Sequence, residues 1–360
     1  MAVDKNNVVR AAAFRSEAAR QGVAVATSRY YPAIAFTESL TASNSPTQTF
    51  MMKLDEGRFS QNDFQINNLN NPGDEHDFKT AVMARQIIYD PSLAPAREIA
   101  LQESRLIDTR LDGSKEETAF RVFTAYLDVQ KAQARINAAE QAVRAARENL
   151  RLAEVRKQAG VGLRSDELRA RTNLAANEQQ LISARNDLTI AKMQLVDLIC
   201  LNEHDSIDIS ETALVAVPLP HSSDALVATA LQQRTDVKLS QAEQDKAAAA
   251  LRLATSSYLP VIAGYASYQL NSNDTPFTAD NESWLAGVGL NWELFDGFRR
   301  SSEKNKAVAE QAAAAALQEQ AKRDAALRVR ESYLRSTEMG QRLEVAKNAL
   351  QDAEETVRLL

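Results

Sequence analysis

The chain has 360 residues, a length that on its own suggests two or three compact domains. Only 11 Gly and 9 Pro punctuate it, aromatics make up 6%, and about one residue in six is alanine, so long helices with small side chains in their seams are the first expectation. Its 42 basic and 48 acidic residues leave a net charge of −6, which argues against a nucleic-acid partner. The mean hydropathy is −0.36, and no run of about 18 residues is apolar enough for a membrane-spanning helix, which leaves a β-barrel open because alternating strands carry little hydropathy signal.

In chain order, Met1-Ala2-Val3-Asp4-Lys5 leads straight into polar, helical sequence with no signal peptide. Residues 22–38, GVAVATSRYYPAIAFTE, end a helix and enter a strand over 33–44. A polar stretch from Ser45 to Asp77 reads as a long surface loop, its acidic residues Asp55, Glu56, Asp63, Asp74, Glu75 and Asp77 keeping it solvated. A second strand is expected over 77–90, then a helical hairpin over 93–199. In its first arm Val122, Val129, Ile136, Val143 and Leu150 hold one heptad position, and Ala125, Ala132, Ala139, Ala146 and Ala153 the companion position. Leu174, Leu181, Leu188 and Leu195 continue the period beside Ala170, Ala184, Ala191 and Leu198, with Asn177 interrupting. A large aliphatic facing alanine every seven residues predicts closely approaching, left-handed coiled-coil packing.

Between the arms lies the tip, residues 160–166: Gly160, Val161, Gly162, Leu163, Arg164, Ser165 and Asp166. The first glycine stops one helix, and Ser165 or Asp166 is placed to cap the next. The triplet lacks the third glycine and the strand of a phosphate loop. Cys200, the single cysteine, follows the apolar run from Leu195 and reads as a small buried residue at a helix end. Residues 201–225 form a linker or equatorial segment. Strands are expected over 260–271 and 283–295, followed by a helix over 299–360 of about 90 Å. In the last strand Trp284, Ala286, Val288, Leu290, Trp292 and Leu294 form an apolar face, against Leu285, Gly287, Gly289, Asn291 and Glu293. That is the alternation of a lipid-facing strand, with Trp284 and Trp292 as interface anchors.

The chain also contains itself twice. Ala26-Thr27-Ser28 and Pro32 match Ala254-Thr255-Ser256 and Pro260; Tyr89-Asp90 matches Phe295-Asp296; Arg121 and Tyr126-Leu127 match Arg328 and Tyr333-Leu334. This divides the chain into a first repeat over 1–200 and a second over 226–360. The second breaks off within a helix, before its own equivalent of the 160–166 turn, and is expected to continue. The heptad recurs there at Leu343, Leu350 and Val357 beside Ala346, Ala353 and Leu360. Four strands cannot close a barrel, and copies related by symmetry would remove their free edges. No catalytic, cofactor or metal residues are assigned: His76, His204 and His221 are scattered in loop-like segments without ligand spacing.

Taken with the duplicated Ser28-Arg29-Tyr30-Tyr31-Pro32 and Ser256-Ser257-Tyr258-Leu259-Pro260, two segments carry a family resemblance. They are the corner Trp292-Glu293-Leu294-Phe295-Asp296-Gly297-Phe298-Arg299 and the tip Gly160 to Asp166. Across the whole chain the sequence resembles the TolC-like outer-membrane factors. That resemblance implies a mainly α fold with a small β part: long helices forming a periplasmic α-barrel, and four strands per protomer in a trimeric twelve-stranded membrane β-barrel. It implies an exit duct of a tripartite efflux pump or a type I secretion system, passively conducting substrate. Its partners would be two further copies, a periplasmic adaptor docked on Val161, Gly162 and Leu163, an inner-membrane transporter and outer-membrane lipid. Asp296 and Gly297 would mark the strand-to-helix corner. The competing reading is a periplasmic coiled-coil adaptor or structural interaction protein, which would share the heptads and lack the tryptophan-bearing strands.

Overall fold

The computed structural model describes residues 2–201 and 222–359. His204, His221, Leu360 and most of segment 201–225 lie outside the described residues, as do the side chains of Ala2, Val357 and Leu359. A helical turn α1 (Ala2–Lys5) and helix α2 (Asn7–Ser28) lead into β1 (Ala33–Ser43). Helix α3 (Pro46–Asp55), a 3-10 turn (Gln61–Phe64) and α4 (Ile66–Asn70) precede β2 (Glu75–Tyr89). Then come α5 (Leu93–Gln158), α6 (Arg164–Leu198), α7 (Ser223–Gln233), α8 (Thr235–Ser256), β3 (Val261–Ser272), β4 (Asn281–Asn291) and α9 (Arg299–Leu359). The succession helix, strand, strand, long helix thus occurs twice.

The expected loop between Ser45 and Asp77 is mostly helical. Pro46 opens α3 at a position where a missing N–H costs nothing, and Gly57, at φ +68°, turns the chain after it. A Ser60–Asp63 capping box starts the 3-10 turn. His76, expected in a loop, lies in β2.

The chain divides into two compact units, one of Met1–Glu17, Leu106–Leu239 and Lys322–Leu360, the other of Ala18–Arg105 and Ser240–Ala321. In the first, α5 and α6 pack along the heptad seam. Val129, Ala132, Ala191 and Leu195 form a buried cluster, with Val122, Ala125, Leu188 and Ile199 against it. Ile136, Val143, Ala146 and Ala184 are buried further along, and Asn177 is half-buried in the same track. Burial of each Val or Ile supplies about 1.5–3 kcal/mol, and the alanines opposite let the helix backbones approach. The equivalent positions of α9 differ: Leu343, Ala346, Leu350 and Ala353 are exposed, because among the described residues no second helix covers them. Cys200 is half-buried, and at φ +54° it turns the chain out of α6 in a left-handed conformation.

The second unit holds one antiparallel sheet in the order β1-β2-β3-β4. Residues paired across it share a face. Trp284, Tyr268, Val82 and Phe36 form one row, and Ala286, Ala266, Ala84 and Ile34 the next, on an apolar face. The opposite face carries the rows Asn281-Asn271-Lys79-Ser39, Ser283-Gln269-Ala81-Thr37 and Gly287-Tyr265-Arg85-Ala33, with the mixed row Leu285-Ser267-Met83-Ala35 between the last two, and is polar or small at most positions. The last strand ends at Asn291 and does not extend to 295, because β3 begins opposite it at Val261 and offers no further partner.

Candidate functional site

The hairpin tip is built by backbone geometry. Gly160, at φ +78°, donates to the Lys157 carbonyl at 3.0 Å, and the N–H groups of Val161 and Gly162 both reach the Arg156 carbonyl at 3.0 Å. These bonds satisfy the last carbonyls of α5. A Cβ on Gly162 would lie 2.9 Å from the Lys157 backbone nitrogen and 3.0 Å from Arg156, so the turn closes only with glycine there. The N-cap of α6 is Leu163, in extended conformation and without a side-chain cap bond. Ser165 and Asp166, the expected caps, fall inside the first turn, where Asp166 and Glu167 complement the helix dipole. Arg164, Ser165 and Asp166 are exposed, as are Val161 and Leu163, which are 80% and 67% accessible.

Sequence reasoning missed the charges that brace this turn. Lys157 on α5 bonds Glu167 on α6, and Arg171 bonds Glu167 at 2.9 Å while approaching Glu154 at 3.8 Å. The Lys157 hydrogen bond, with the charge of Arg171 beside it, holds the Glu167 carboxyl below its ordinary range. The only sequence signal was the Glu167-to-Arg171 spacing of one helical turn.

At the strand-to-helix corner, Gly297 and Phe298 are consecutive left-handed residues, at φ +66° and +70°. Asp296 accepts from the Arg300 backbone N–H at 3.1 Å and from its guanidinium at 2.8 Å, starting α9. Burial alone would raise the Asp296 carboxyl; the two bonds from Arg300 outweigh it and leave the group below its ordinary range. The Arg300 guanidinium also lies 5.3 Å above the Tyr258 ring, and Trp292 donates its indole N–H to the Tyr258 carbonyl at 3.1 Å. The first repeat builds the same corner with a looser partner: Asp90 accepts from Ser92 N–H at 2.8 Å and stands 3.7 Å from the half-exposed Arg29.

Trp284 and Trp292 are both exposed, Trp284 on the apolar face and Trp292 one residue beyond the end of β4. Eight extended residues separate them by about 26 Å, close to the ~25 Å apolar band of outer-membrane barrels. Phe36, at the far end of the Trp284 row, stacks with Phe277, their ring centroids 6.2 Å apart.

A duplicated chain with one lipid-compatible sheet face and a long helical hairpin is the architecture of an outer-membrane channel subunit. The chain belongs to the outer membrane efflux protein family, which its residues 1–200 and 226–360 match. It is an exit duct for efflux pumps in the outer membrane. Its fold is similar to outer membrane protein VceC of Vibrio cholerae, with TM-score 0.82 and 17% identity over 98% of this chain and 81% of that one. It is also similar to the outer membrane channels CmeC of Campylobacter jejuni (TM-score 0.71, 16% identity, 89% of this chain and 65% of that one) and MtrE of Neisseria gonorrhoeae (TM-score 0.71, 16%, 90% and 68%). No curated protein matches it by sequence.

Proposed function

We propose that three copies of this chain close a twelve-stranded barrel in the outer membrane, and that Gly160–Asp166 of each copy docks a periplasmic adaptor that links the duct to an inner-membrane transporter. The unpaired edges of β1 and β4 support the first part, since two open edges in one four-stranded sheet call for further strands. The apolar face with Trp284 and Trp292 as its two anchors lies against lipid. Asp296 and Gly297 turn the chain from the membrane into the helices.

The observation that carries the docking is the exposed Val161 and Leu163 on a turn whose backbone is fixed by Gly160 and Gly162. A rigid presentation of two apolar side chains loses little ordering entropy on binding. Gly162→Val is the test. Its side chain meets the Lys157 and Arg156 backbone, the turn must reopen, and Val161 and Leu163 are displaced. Adaptor cross-linking at the tip is expected to fall about tenfold or more, consistent with losing one apolar anchor of 1.5–3 kcal/mol. Trimer formation should persist. Undiminished cross-linking would overturn the docking.

A further inference from the structure

The segment between β1 and β2 is the one large feature of the second unit that the duct architecture does not use. The last pair of those strands is Ser43 with Glu75, so residues 44–74 form a single connection folded on itself. Helix α3 turns one side toward the sheet: Thr49, Met52 and the C-capping Glu56 are buried, while Met51 and Leu54 on the opposite side are exposed. Phe50, Phe59 and Phe64 stack edge to face inside the segment, at 4.6 and 5.0 Å.

Which face of the sheet it covers follows from strand parity. Arg58 bonds Glu56 at 2.6 Å and Glu75 at 3.0 Å; Lys53 bonds Asp63 at 3.0 Å and Glu75 at 3.1 Å. A Cβ on Gly57 would lie 3.5 Å from Asn281. Beneath them Asn271, 1% exposed, donates to both Asp77 carboxylate oxygens at 3.0 Å. Glu75 and Asp77 alternate in phase with Lys79, and Asn271 and Asn281 stand in its row, on the face opposite Trp284. The Glu56 side chain is fully buried, with one carboxylate oxygen bonded to Arg58 and the other, Oε1, without a partner. A connection that only projected into solvent would leave these groups wet.

We propose that residues 45–74 are a lid, clamped over the duct-facing side of the strands by Arg58 and Lys53, which limits the size of solute passing the exterior mouth. The inference rests on the barrel reading, because that reading makes the face opposite Trp284 the inner one. Deleting residues 46–72 leaves Asn44, Ser45, Gly73 and Asp74, a hairpin of ordinary length, between the last paired residues.

The test uses cells carrying the full chain with Cys200→Ser and one reporter cysteine. Leu285→Cys stands on the inner face and Val288→Cys on the lipid face. The reagents are a small charged maleimide and a polymer-linked maleimide, added from outside. With the lid, the small reagent should label Leu285→Cys and the large one should not. Deletion should raise labelling by the large reagent about tenfold or more, as for a removed lid. Arg58→Gln, which keeps the lid and removes its clamp, should give an intermediate rate. Equal rates with and without residues 46–72, in trimers confirmed by cross-linking, would overturn the lid. Labelling of Val288→Cys in place of Leu285→Cys would overturn the barrel orientation beneath it.

Discussion

The α5–α6 seam makes a quantitative demand on its side chains. Val129 is 2% exposed and sits among Ala125, Ala132, Ala191 and Leu195. Val129→Ala removes two methyl groups, worth about 0.8 kcal/mol each in transfer. Three of the neighbours, Ala125, Ala132 and Ala191, have no rotamers to swing inward, so most of the vacated volume persists as a cavity. At ~24 cal/mol per Å³, a void of about 45 Å³ adds roughly 1 kcal/mol, for a total near 2.5 kcal/mol. Ala191→Val places two methyl groups into the same filled space from α6 and should cost about 1–3 kcal/mol by overpacking. The two changes together restore the volume from the other side of the seam. The double variant should lie within about 1 kcal/mol of wild type, a coupling of 2 kcal/mol or more. Urea unfolding followed by helical circular dichroism measures all four corners of the cycle. Additive losses would refute the close-packed seam, for they would mean that Val129 and Ala191 do not share one space.

Two further outcomes follow from the charged groups. Asp296→Ala strands the nearly buried Arg300, whereas Asp90→Ala releases an Arg29 already half in water, so the first should lower the thermal midpoint by several degrees more than the second; equal shifts would contradict the different weights of the two corners. The lid should respond to acid in two phases, read from the mobility of a spin label at Met51→Cys. Burial pushes the Glu56 carboxyl up against the opposing pull of Arg58, so the docked lid binds a proton more tightly than the free one, and docking should strengthen as pH falls from neutral through the raised value. Hydrogen bonds from the Ser60 side chain and backbone, and then from Lys53, all within the lid, hold Asp63 at about 2; the stability it contributes to the lid's own fold is complete above its ordinary 3.8 and is lost as pH falls toward 2. The charged groups around this pair are Lys53, Asp55, Arg58, Glu75 and Asp77, and a single loosening from neutral pH downward would show that Glu56 is not buried in the docked state.

What the sequence made legible was whatever depends on period. The heptad of Val122 to Leu150 and its alanine partners are the residues that meet α6, and the alternation around Trp284 separates the two faces of β4. Duplication anchored at Pro32 and Pro260 matches the repeated order of elements, because proline sits where each helix gives way to a strand. Features set by contact between distant residues were not legible. Arg300 looks like one surface cation among many until Asp296, Tyr258 and Ser257 are seen around it. Lys157 with Glu167 is similar, since the spacing across a turn encodes nothing of how the arms face. The segment from Ser45 to Asp77 read as loop because its polarity hides the buried side of α3, where Thr49 and Glu56 are polar themselves.

That segment is also where the two repeats differ, since residues 44–74 join β1 to β2 whereas residues 273–280 join β3 to β4. Its clamp closes on β2, from the first repeat, through Glu75, while Asp77 is held by Asn271, and Asn271 and Asn281 come from β3 and β4 of the second. One insertion per chain therefore covers strands of both repeats, and the second connection, from Asn273 to Asp280, stays short and turns to the other side, where Phe277 meets Phe36. A second lid of equal size on β3–β4 would compete with the first for the same polar face at Asn271 and Asn281.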